Sequence, residues 1–290
     1  MAALGTAETA NMAEAGDWTP AWEPEALDGV AFVGMTLAAL FLHGPDDVEG
    51  RGVLEALASL DAQEASRGWP FVAAQDEPEV TRCLQALANG ARQQIELESA
   101  MGKAAPEAEQ ICSAGEAASA PEKACTAPHA PLTPLLKTYR QLFIGPGHLI
   151  APPWGSVYTD RDCVVFGDST LELRGWMRAH GIVMDTGERE PEDHLGLLLQ
   201  QMAFLAQSRP ELLDELLSKH MLTWSHHYLE ELAKAARCGG IAGPGGTTTL
   251  GGGDHEACAF YEALARLTDL TLEGLHDLRN LQVSYPRYFR

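Results

Sequence analysis

The sequence predicts an all-α fold, arranged as a single-domain helical bundle. Apolar residues recur three and four positions apart through most of the chain, which is the spacing of one face of a helix. Glycine and proline separate these segments, and the alternation typical of strands is nearly absent; residues 164–166 alone suggest a short extended piece. With 46% apolar residues among 290, the bundle can bury a substantial core.

The first helices are predicted at residues 27–43, 48–60 and 78–95. Apolar residues keep helical spacing across each of them. Gly44 and Pro45 provide a stop after the first helix, because glycine commonly follows a helix end and proline cannot continue the helix. We expect these helices to pack against one another as antiparallel neighbours.

Residues 132–143 form the next predicted helix, and they place Tyr139 and Phe143 on one face, one turn apart. The stretch 139–158 then interleaves aromatic residues with Gly-Pro and Pro-Pro pairs. Prolines lack an amide proton and fix φ, so this stretch predicts a rigid extended loop. Two interpretations remain open for it: a binding surface, or a buried connector whose aromatic side chains fill the core.

Two helix starts are predicted after this loop. Ser169 and Glu172 have the spacing of a capping box, and Gly181 is placed to end the helix that follows. Pro191 suits the first position of a second, strongly apolar helix, and Asp193 would lie in its first turn, where an acid complements the helix dipole.

The last helices are predicted at residues 210–222, 225–236 and 254–281. Each shows apolar residues at helical spacing. No internal repeat is visible along the chain, so the helices are expected to form one bundle rather than a solenoid.

Shifts in composition predict the domain organisation. Residues 1–24 are rich in alanine and glutamate and are expected to form a mobile tail, whereas residues 25–290 form one helical domain. Within that domain we expect two flexible insertions, near residues 100–130, which are rich in Ala, Glu, Ser and Pro, and at the glycine-rich residues 239–253.

The charge balance indicates the class of partner. The chain carries 41 acidic and 20 basic residues, which gives a formal net charge of -21. Such a charge repels nucleic acid and anionic lipid, so we expect no nucleic acid partner and favour a cationic one. The alternative is that the acidic surface serves solubility alone.

Localisation and redox state follow from simple patterns. The amino-terminal residues contain no basic residue and no long apolar run, so they do not resemble a secretory leader. No stretch approaches the roughly 18 uninterrupted apolar residues of a membrane span. Six cysteines lack the spacing of a zinc site or a disulfide framework. We therefore expect a cytoplasmic protein with free thiols and no integral membrane segment.

Candidate catalytic and metal-binding residues are few. Asp193 with His194, and His226 with His227, contain the residue types of metal or acid-base sites. Neighbouring helical residues point about 100° apart, however, so neither pair can offer both side chains to one ion. Ser156 lacks the nucleophile-elbow pattern, and the glycine-rich tract lacks the lysine of a phosphate loop. The sequence thus predicts no enzyme, no metal and no cofactor.

Asp193, His194 and Trp154 each allow a structural and a functional interpretation. Asp193 could simply complement the dipole of its own helix. His194 could be a satisfied core side chain or could line a pocket with Asp193. A tryptophan between proline and glycine on a loop more often faces a groove or a neighbouring chain than a deep core.

Five short motifs follow one another along the middle of the chain: Leu-Phe-Ile-Gly-Pro (142–146), Pro-Pro-Trp-Gly-Ser-Val-Tyr (152–158), Asp-Arg (160–161), Phe-Gly-Asp-Ser-Thr-Leu (166–171) and Glu-Pro-Glu-Asp-His (190–194). Together they resemble the DmsD branch of the TorD/DmsD chaperones, which are all-helical redox-enzyme maturation factors. The resemblance is dense from about residue 132 to about residue 232.

The resemblance implies a binding site for a twin-arginine leader peptide. Gly147 departs from the pattern, because close relatives carry an aromatic residue there. Carried over position by position, the implied peptide-binding residues are Tyr139, Leu142, Phe143, Trp154, Gly167, Asp193 and His194.

The function implied by the resemblance is that of a cytoplasmic chaperone for the catalytic subunit of a molybdopterin oxidoreductase of the DMSO reductase type. It would bind the twin-arginine signal peptide of the precursor and delay export until the cofactor is inserted; the twin-arginine translocon is a further candidate partner. Two alternatives stay open: a helical assembly factor that grips the mature reductase, and a metal- or nucleotide-dependent hydrolase.

Overall fold

The computed structural model describes residues 21–112, 132–145, 149–183, 190–237 and 254–290. Within these ranges the regular structure is helical, and they contain no strand. The prediction of an all-α fold is therefore confirmed.

The amino-terminal part contains three helices joined by short turns. α1 (Pro24–Leu42) begins with a proline in its first turn. α2 (Val48–Ala58) and α3 (Ala62–Arg67) are capped by the side chains of Asp47 and Asp61, which accept hydrogen bonds from backbone amides of the first turn. α1 and α2 match the predicted helices, whereas the short α3 was not predicted.

The next two helices lead towards the predicted loop. α4 (Glu77–Cys112) runs well past the predicted end at residue 95. α5 (Pro134–Tyr139) is capped by Thr133 and continues into one turn of π-helix at Arg140–Ile144. The predicted helix at 132–143 therefore exists, with its last turn widened.

α6 (Ser156–Thr159) and α7 (Asp168–Ala179) follow the loop. The predicted capping box at Ser169 is wrong, because Ser169 lies inside the first turn of α7 and its amide donates to the carboxylate of Asp160 at 3.3 Å. Gly181 adopts a φ of 65°, which suits a helix end as predicted.

The strongly apolar helix α8 (Leu195–Ser208) begins later than expected. Pro191 is not its first residue, and Asp193 is not in its first turn; both precede the helix. The amide of His194 donates to the carbonyl of Pro191 at 3.1 Å, so these residues form a turn before the helix.

The carboxyl-terminal part matches its predicted helices. A 3₁₀ turn at Pro210–Leu212 leads into α9 (Leu213–Glu215) and one π turn at Leu216–Met221. The remaining helices are α10 (Ser225–Arg237) and α11 (Asp254–Arg279).

The helices pack around one core. α1 packs mainly against α8, and α4 packs against α2, α3 and α11, which also contacts α10. Gly34 allows the close approach of α1 to α8, because a Cβ atom at this position would lie 2.7 Å from the carbonyl oxygen of Leu199. By length and composition α1 could cross a membrane, contrary to the expectation from sequence, although core helices of soluble proteins reach the same hydropathy.

Several predicted features lie outside the described residues. They include residues 1–20 of the expected mobile tail, residues 113–130 of the first expected insertion, the whole of 239–253, and Gly147. Residues 164–166 are described, and the extended piece expected there is wrong, because Phe166 adopts a φ of 64° within a turn.

Candidate functional site

The second half of the predicted loop pairs with the turn before α8. The amide of Gly155 donates to the carbonyl of Asp193 at 3.1 Å, and the amide of Leu195 donates to the carbonyl of Pro153 at 2.9 Å. Between these bonds lies an isolated antiparallel bridge that brings residues 154 and 194 side by side. The pairing joins two motifs that are separated by almost 40 residues in the sequence.

Asp193 is buried, with 3% of its surface exposed, and it caps α6. Its Oδ2 accepts a hydrogen bond from the amide of Ser156, the first residue of α6, at 2.7 Å. Its Oδ1 accepts no hydrogen bond of ordinary geometry from the described residues. Burial raises the pKa of this carboxyl, although the amide of Ser156 and the nearby hydroxyls of Ser156 and Thr170 oppose the effect. The site therefore holds a carboxylate that gains from a cationic partner.

His194 is the N-cap of α8. Its Nδ1 accepts a hydrogen bond from the amide of Gly196 at 3.0 Å, so this nitrogen carries no proton. Burial lowers the pKa of the imidazole to about 3, and the ring is therefore neutral at physiological pH. The ring also meets the indole of Trp154 edge to face, with 6.2 Å between the ring centroids. The structure therefore agrees with the interpretation of His194 as a buried side chain whose hydrogen bond is satisfied.

Trp154 is half-buried and is oriented by an acid. Its Nε1 donates a hydrogen bond to Oε1 of Glu190 at 2.7 Å. Burial raises the pKa of the Glu190 carboxyl and the negative charge of Asp193 adds to that, whereas the bond from Trp154 lowers it. The indole is thus fixed at the edge of the paired segment, and the residue is partly exposed to solvent.

A cavity of about 290 Å³ opens beside Asp193. It lies between α6, the first turns of α7, the end of the π turn before α10, and the carboxyl-terminal segment that follows α11. We call it the acidic pocket because four carboxylates line it: Asp160, Asp168, Glu172 and Asp193.

The cations on the pocket wall do not balance these acids. Lys219 is the one lysine or arginine among the lining residues, and its ammonium group pairs with Glu215 at 2.6 Å. His220 also lines the pocket, and burial lowers the pKa of its imidazole to about 4, so it adds no positive charge near neutral pH. The pocket can therefore accept a cationic group that donates several hydrogen bonds, as a guanidinium does.

Gly167 sets the position of one of these acids. A Cβ atom at this residue would lie 1.8 Å from Oδ2 of Asp160, so any larger side chain would displace that carboxylate. Asp160 in turn accepts a hydrogen bond from the amide of Ser169 in the first turn of α7. Gly167 thus acts through the room that it leaves for Asp160.

The other predicted site residues lie in the core. Tyr139, Leu142 and Phe143 are buried, and none of them lines the acidic pocket. The rings of Tyr139 and Phe143 are 5.1 Å apart, as their predicted common face requires, and Phe143 also packs against Tyr261 at 5.7 Å. In the described part of the loop, the buried-connector interpretation fits these residues, while Trp154 is only partly buried.

Sequence reasoning missed three of the four pocket carboxylates. Asp168 and Glu172 are four residues apart on α7, and this spacing places them on one side of the helix. Asp160 occurs in one of the five motifs but was assigned no role. The i, i+4 pair was visible in the sequence, yet nothing local indicated that it would face Asp193.

Among the described residues, one group has the composition and spacing of a metal site: His43, Asp47 and Glu49. The two imidazole nitrogens of His43 each lie 2.9 Å from a different one of these carboxylates, which is the geometry of a hydrogen-bonded ion pair. His226 and His227 point to different partners, as expected: His226 pairs with Asp269, and His227 stacks on a tyrosine ring.

We expect the substitution His194→Ala to lower the free energy of unfolding by about 1 kcal/mol, because the N-cap of α8 is lost. His194→Asn should restore most of it, since asparagine is a good N-cap residue. Because the pKa of folded His194 lies below its ordinary 6.5, its contribution to stability is complete above pH 6.5 and is lost as the pH falls towards 3. Denaturant unfolding at several pH values in this range should show that the free energy of unfolding falls less with decreasing pH in His194→Asn than in the unchanged protein. An equal fall in both proteins would contradict the assignment of His194 as a neutral N-cap.

Comparison with known proteins gives a consistent result. A family described as nitrate reductase delta subunit matches residues 94–230, a range that contains all four pocket carboxylates. A probable Tat proofreading chaperone DmsD of Haemophilus influenzae is 41% identical over 156 residues, which are 54% of this chain and 67% of that protein.

Two further relatives extend this comparison. The Tat proofreading chaperone DmsD of Salmonella typhimurium is 40% identical over 157 residues, with the same shares of the two chains. A chaperone protein TorD of a Psychrobacter species is 31% identical over 110 residues, which are 36% of this chain and 49% of that protein.

Proposed function

The chain belongs to the DmsD branch of the TorD/DmsD chaperones, and on this premise we propose that it is a cytoplasmic chaperone that binds the twin-arginine leader of a molybdopterin oxidoreductase catalytic subunit. By holding the leader it delays export until the cofactor is inserted and the subunit has folded. This function needs no covalent chemistry, in keeping with relatives that are named as chaperones.

The observation that carries the proposal is the acidic pocket with Asp193 buried in its wall. A twin-arginine leader presents two adjacent guanidinium groups, and each can donate paired hydrogen bonds to a carboxylate. The carboxylates of Asp160, Asp168 and Glu172, with that of Asp193 in the wall, offer acceptors for such groups around one cavity. Because Asp193 is desolvated, pairing with a guanidinium there is stronger than at the surface.

The implied site residues then have different roles in binding. Asp193 binds a guanidinium, and Gly167 keeps Asp160 in place beside it. Trp154 offers the exposed part of its side chain at the edge of the site, and His194 joins the segment that carries Asp193 to the segment that carries Trp154. The residues Tyr139, Leu142 and Phe143 are buried, so they contribute from the core.

The net charge of -21 favours the encounter with a cationic leader. Long-range attraction accelerates association and is screened by salt, because the Debye length shortens from about 14 Å to about 4 Å as the salt rises from about 0.05 M to about 0.5 M. We therefore expect the affinity for a leader to fall steeply over this range.

The test is a calorimetric titration of the full chain with a synthetic twin-arginine reductase leader at low and high salt. We expect binding that weakens about tenfold or more at high salt, and that weakens similarly when both arginines are replaced by glutamine. A leader with the two arginines exchanged for lysine should bind less well, because lysine cannot form the paired hydrogen bonds. Equal binding of the glutamine leader would contradict the proposal.

The alternative of an assembly factor that grips the mature reductase makes a different prediction. Deleting the leader from the precursor would leave such a complex intact. If the chain binds the leader, the same deletion should abolish the complex. The twin-arginine translocon is a second proposed partner, since the leader must pass from the chaperone to it. Co-purification with precursor that has or lacks its leader distinguishes the two functions.

A further inference from the structure

We propose that an exposed apolar surface beside the acidic pocket binds the apolar stretch of the leader, so that the leader lies with its arginines in the pocket and its following residues on this surface. The proposal rests on the proposed function. We call this surface the apolar rim, and it consists of Val164, Val165, Phe166 and Leu171.

The apolar side chains of the rim are exposed to solvent. Val164, Val165 and Phe166 are consecutive and have exposed fractions of 48%, 39% and 43%, and Leu171 on the first turns of α7 is 53% exposed. Single exposed apolar residues are ordinary on protein surfaces, but a contiguous group of them commonly marks an interaction site.

The backbone beneath the rim is strained. Cys163 and Phe166 have φ angles of 49° and 64°, in the left-handed region that non-glycine residues seldom adopt. This conformation is unfavourable for residues with a Cβ atom, and such strain is concentrated at functional sites. Here it turns three apolar side chains towards solvent, which folding alone would not favour.

Phe166 is contacted by a cation that is itself bound to the turn before α8. The guanidinium of Arg174 lies over its ring, 5.2 Å from the centroid. Arg174 itself donates to both oxygens of Glu192 at 2.6 and 2.7 Å, and Glu192 precedes Asp193. The rim is therefore fixed to the same turn that carries the buried carboxylate.

The rim lies close to the acidic pocket, because one loop and the start of α7 carry residues of both. Asp160 precedes the rim residues and Asp168 follows them, and both line the pocket. An extended peptide advances about 3.3 Å per residue, so residues shortly after the arginine pair reach the rim. In a twin-arginine leader these residues are the start of the apolar stretch.

A second copy of the chain is the less favoured occupant. Two chains that each carry a net charge of -21 repel one another, and acids flank the rim at Asp160 and Asp168. A segment with cations on one side of an apolar run complements both surfaces at once.

The first test compares matched triple and double serine variants. Val164→Ser/Val165→Ser/Leu171→Ser should weaken leader binding about 30-fold, because each apolar side chain that the leader covers contributes about threefold to fivefold to the affinity. Its salt dependence should stay that of the unchanged protein, because no charge is lost. The control Phe204→Ser/Leu278→Ser changes two side chains that are 54% and 56% exposed elsewhere and should bind normally. Normal binding by the triple variant would overturn the proposal.

The second test uses Cys163, a free and partly exposed cysteine at the start of the rim. Two leaders are made that carry a bromoacetyl group, one in the apolar stretch and the other before the arginines. After incubation with the unmodified chain, mass spectrometry of digests identifies the alkylated cysteine. We expect the first leader to label Cys163 much faster than the second.

The outcomes separate this inference from the proposed function. If both leaders bind but the second labels Cys163 faster, or neither labels it, the orientation is wrong and leader binding stands. If no leader binds in calorimetry, the proposed function fails and this inference fails with it. A different result would identify a second copy of the chain as the occupant. In that case the triple variant would bind the leader normally, and the unchanged chain would form dimers through the rim at high concentration; this result would overturn the proposal.

Discussion

Replacing Asp193 with asparagine is expected to weaken leader binding about 100-fold while leaving the protein at least as stable at neutral pH. Asparagine keeps the shape of the side chain, and its carbonyl oxygen can still accept the hydrogen bond from the amide of Ser156. The substitution removes the buried negative charge, which is the part of the site that a guanidinium recognises. Calorimetry with a leader, together with denaturant unfolding of the free protein, measures the two effects separately.

The pH dependence gives this prediction a definite sign. Burial raises the pKa of Asp193 in the folded chain, so the folded state holds this proton more tightly than the unfolded state does. The contribution of this group to stability is therefore most favourable at acidic pH, and it declines as the pH rises from 3.8 through the raised pKa. Leader binding changes in the opposite direction, because it requires the ionised carboxylate.

The matched control is Asp162→Asn, which removes an exposed carboxylate that does not line the acidic pocket. This variant should reduce leader affinity by no more than about twofold, through the net charge alone. If Asp193→Asn and Asp162→Asn weakened binding equally, the leader would be responding to overall charge and not to the pocket. A marked loss of stability in Asp193→Asn would instead assign this carboxylate a structural role.

Replacing Phe143 with alanine is expected to lower the free energy of unfolding by about 3 to 5 kcal/mol. Its ring is buried among Phe41, Tyr139 and Tyr261, with centroid separations from 5.1 to 6.0 Å, so its removal leaves a cavity between α1, α5 and α11. Chemical denaturation at neutral pH measures the loss. An exposed control, Phe204→Ala, should change the same quantity by about 0.5 kcal/mol or less.

The same position tests whether the predicted aromatic residues touch the leader. Phe143→Leu keeps most of the buried volume, so the variant should stay folded and bind a leader with unchanged affinity if the ring acts from the core. A leader affinity that falls about tenfold in the fully folded variant would instead mean that the bundle opens to expose this ring on binding. The distinction matters because the resemblance implies a role for Phe143 but not the way in which it acts.

The helices were predictable because their apolar periodicity is local. α1, α10 and α11 begin and end within a few residues of their predicted bounds. The predicted starts near Ser169 and Pro191 were wrong for different reasons. Asp160, nine residues earlier, binds the amide of Ser169. Pro191 lies in a turn before α8, where Asp193 caps α6 across 37 positions and His194 becomes the N-cap of α8. Short-range patterns such as the capping box contain no information about such partners.

The residues of the candidate site also fall into those that the sequence indicated and those that it did not. Asp193, His194, Trp154 and Gly167 came from the resemblance, and the structure gives each a physical role near the acidic pocket. The carboxylates of Asp168 and Glu172 were missed, since acids in the first turns of a helix are ordinary. Their significance depends on facing a pocket wall that residues 219 to 224 and 284 to 286 complete.

The sequence by itself determined the helical class, the acidic character and the five motifs that resemble one chaperone branch, because these depend on composition and on neighbours a few residues apart. Only the tertiary structure decided which acids converge and which aromatic residues are buried. Ser156 and Asp193 meet across 37 positions of chain, and Tyr139 and Phe143 turn inward because α11 covers them with Tyr261. Such contacts are set by how the helices pack, and no local pattern specifies that packing.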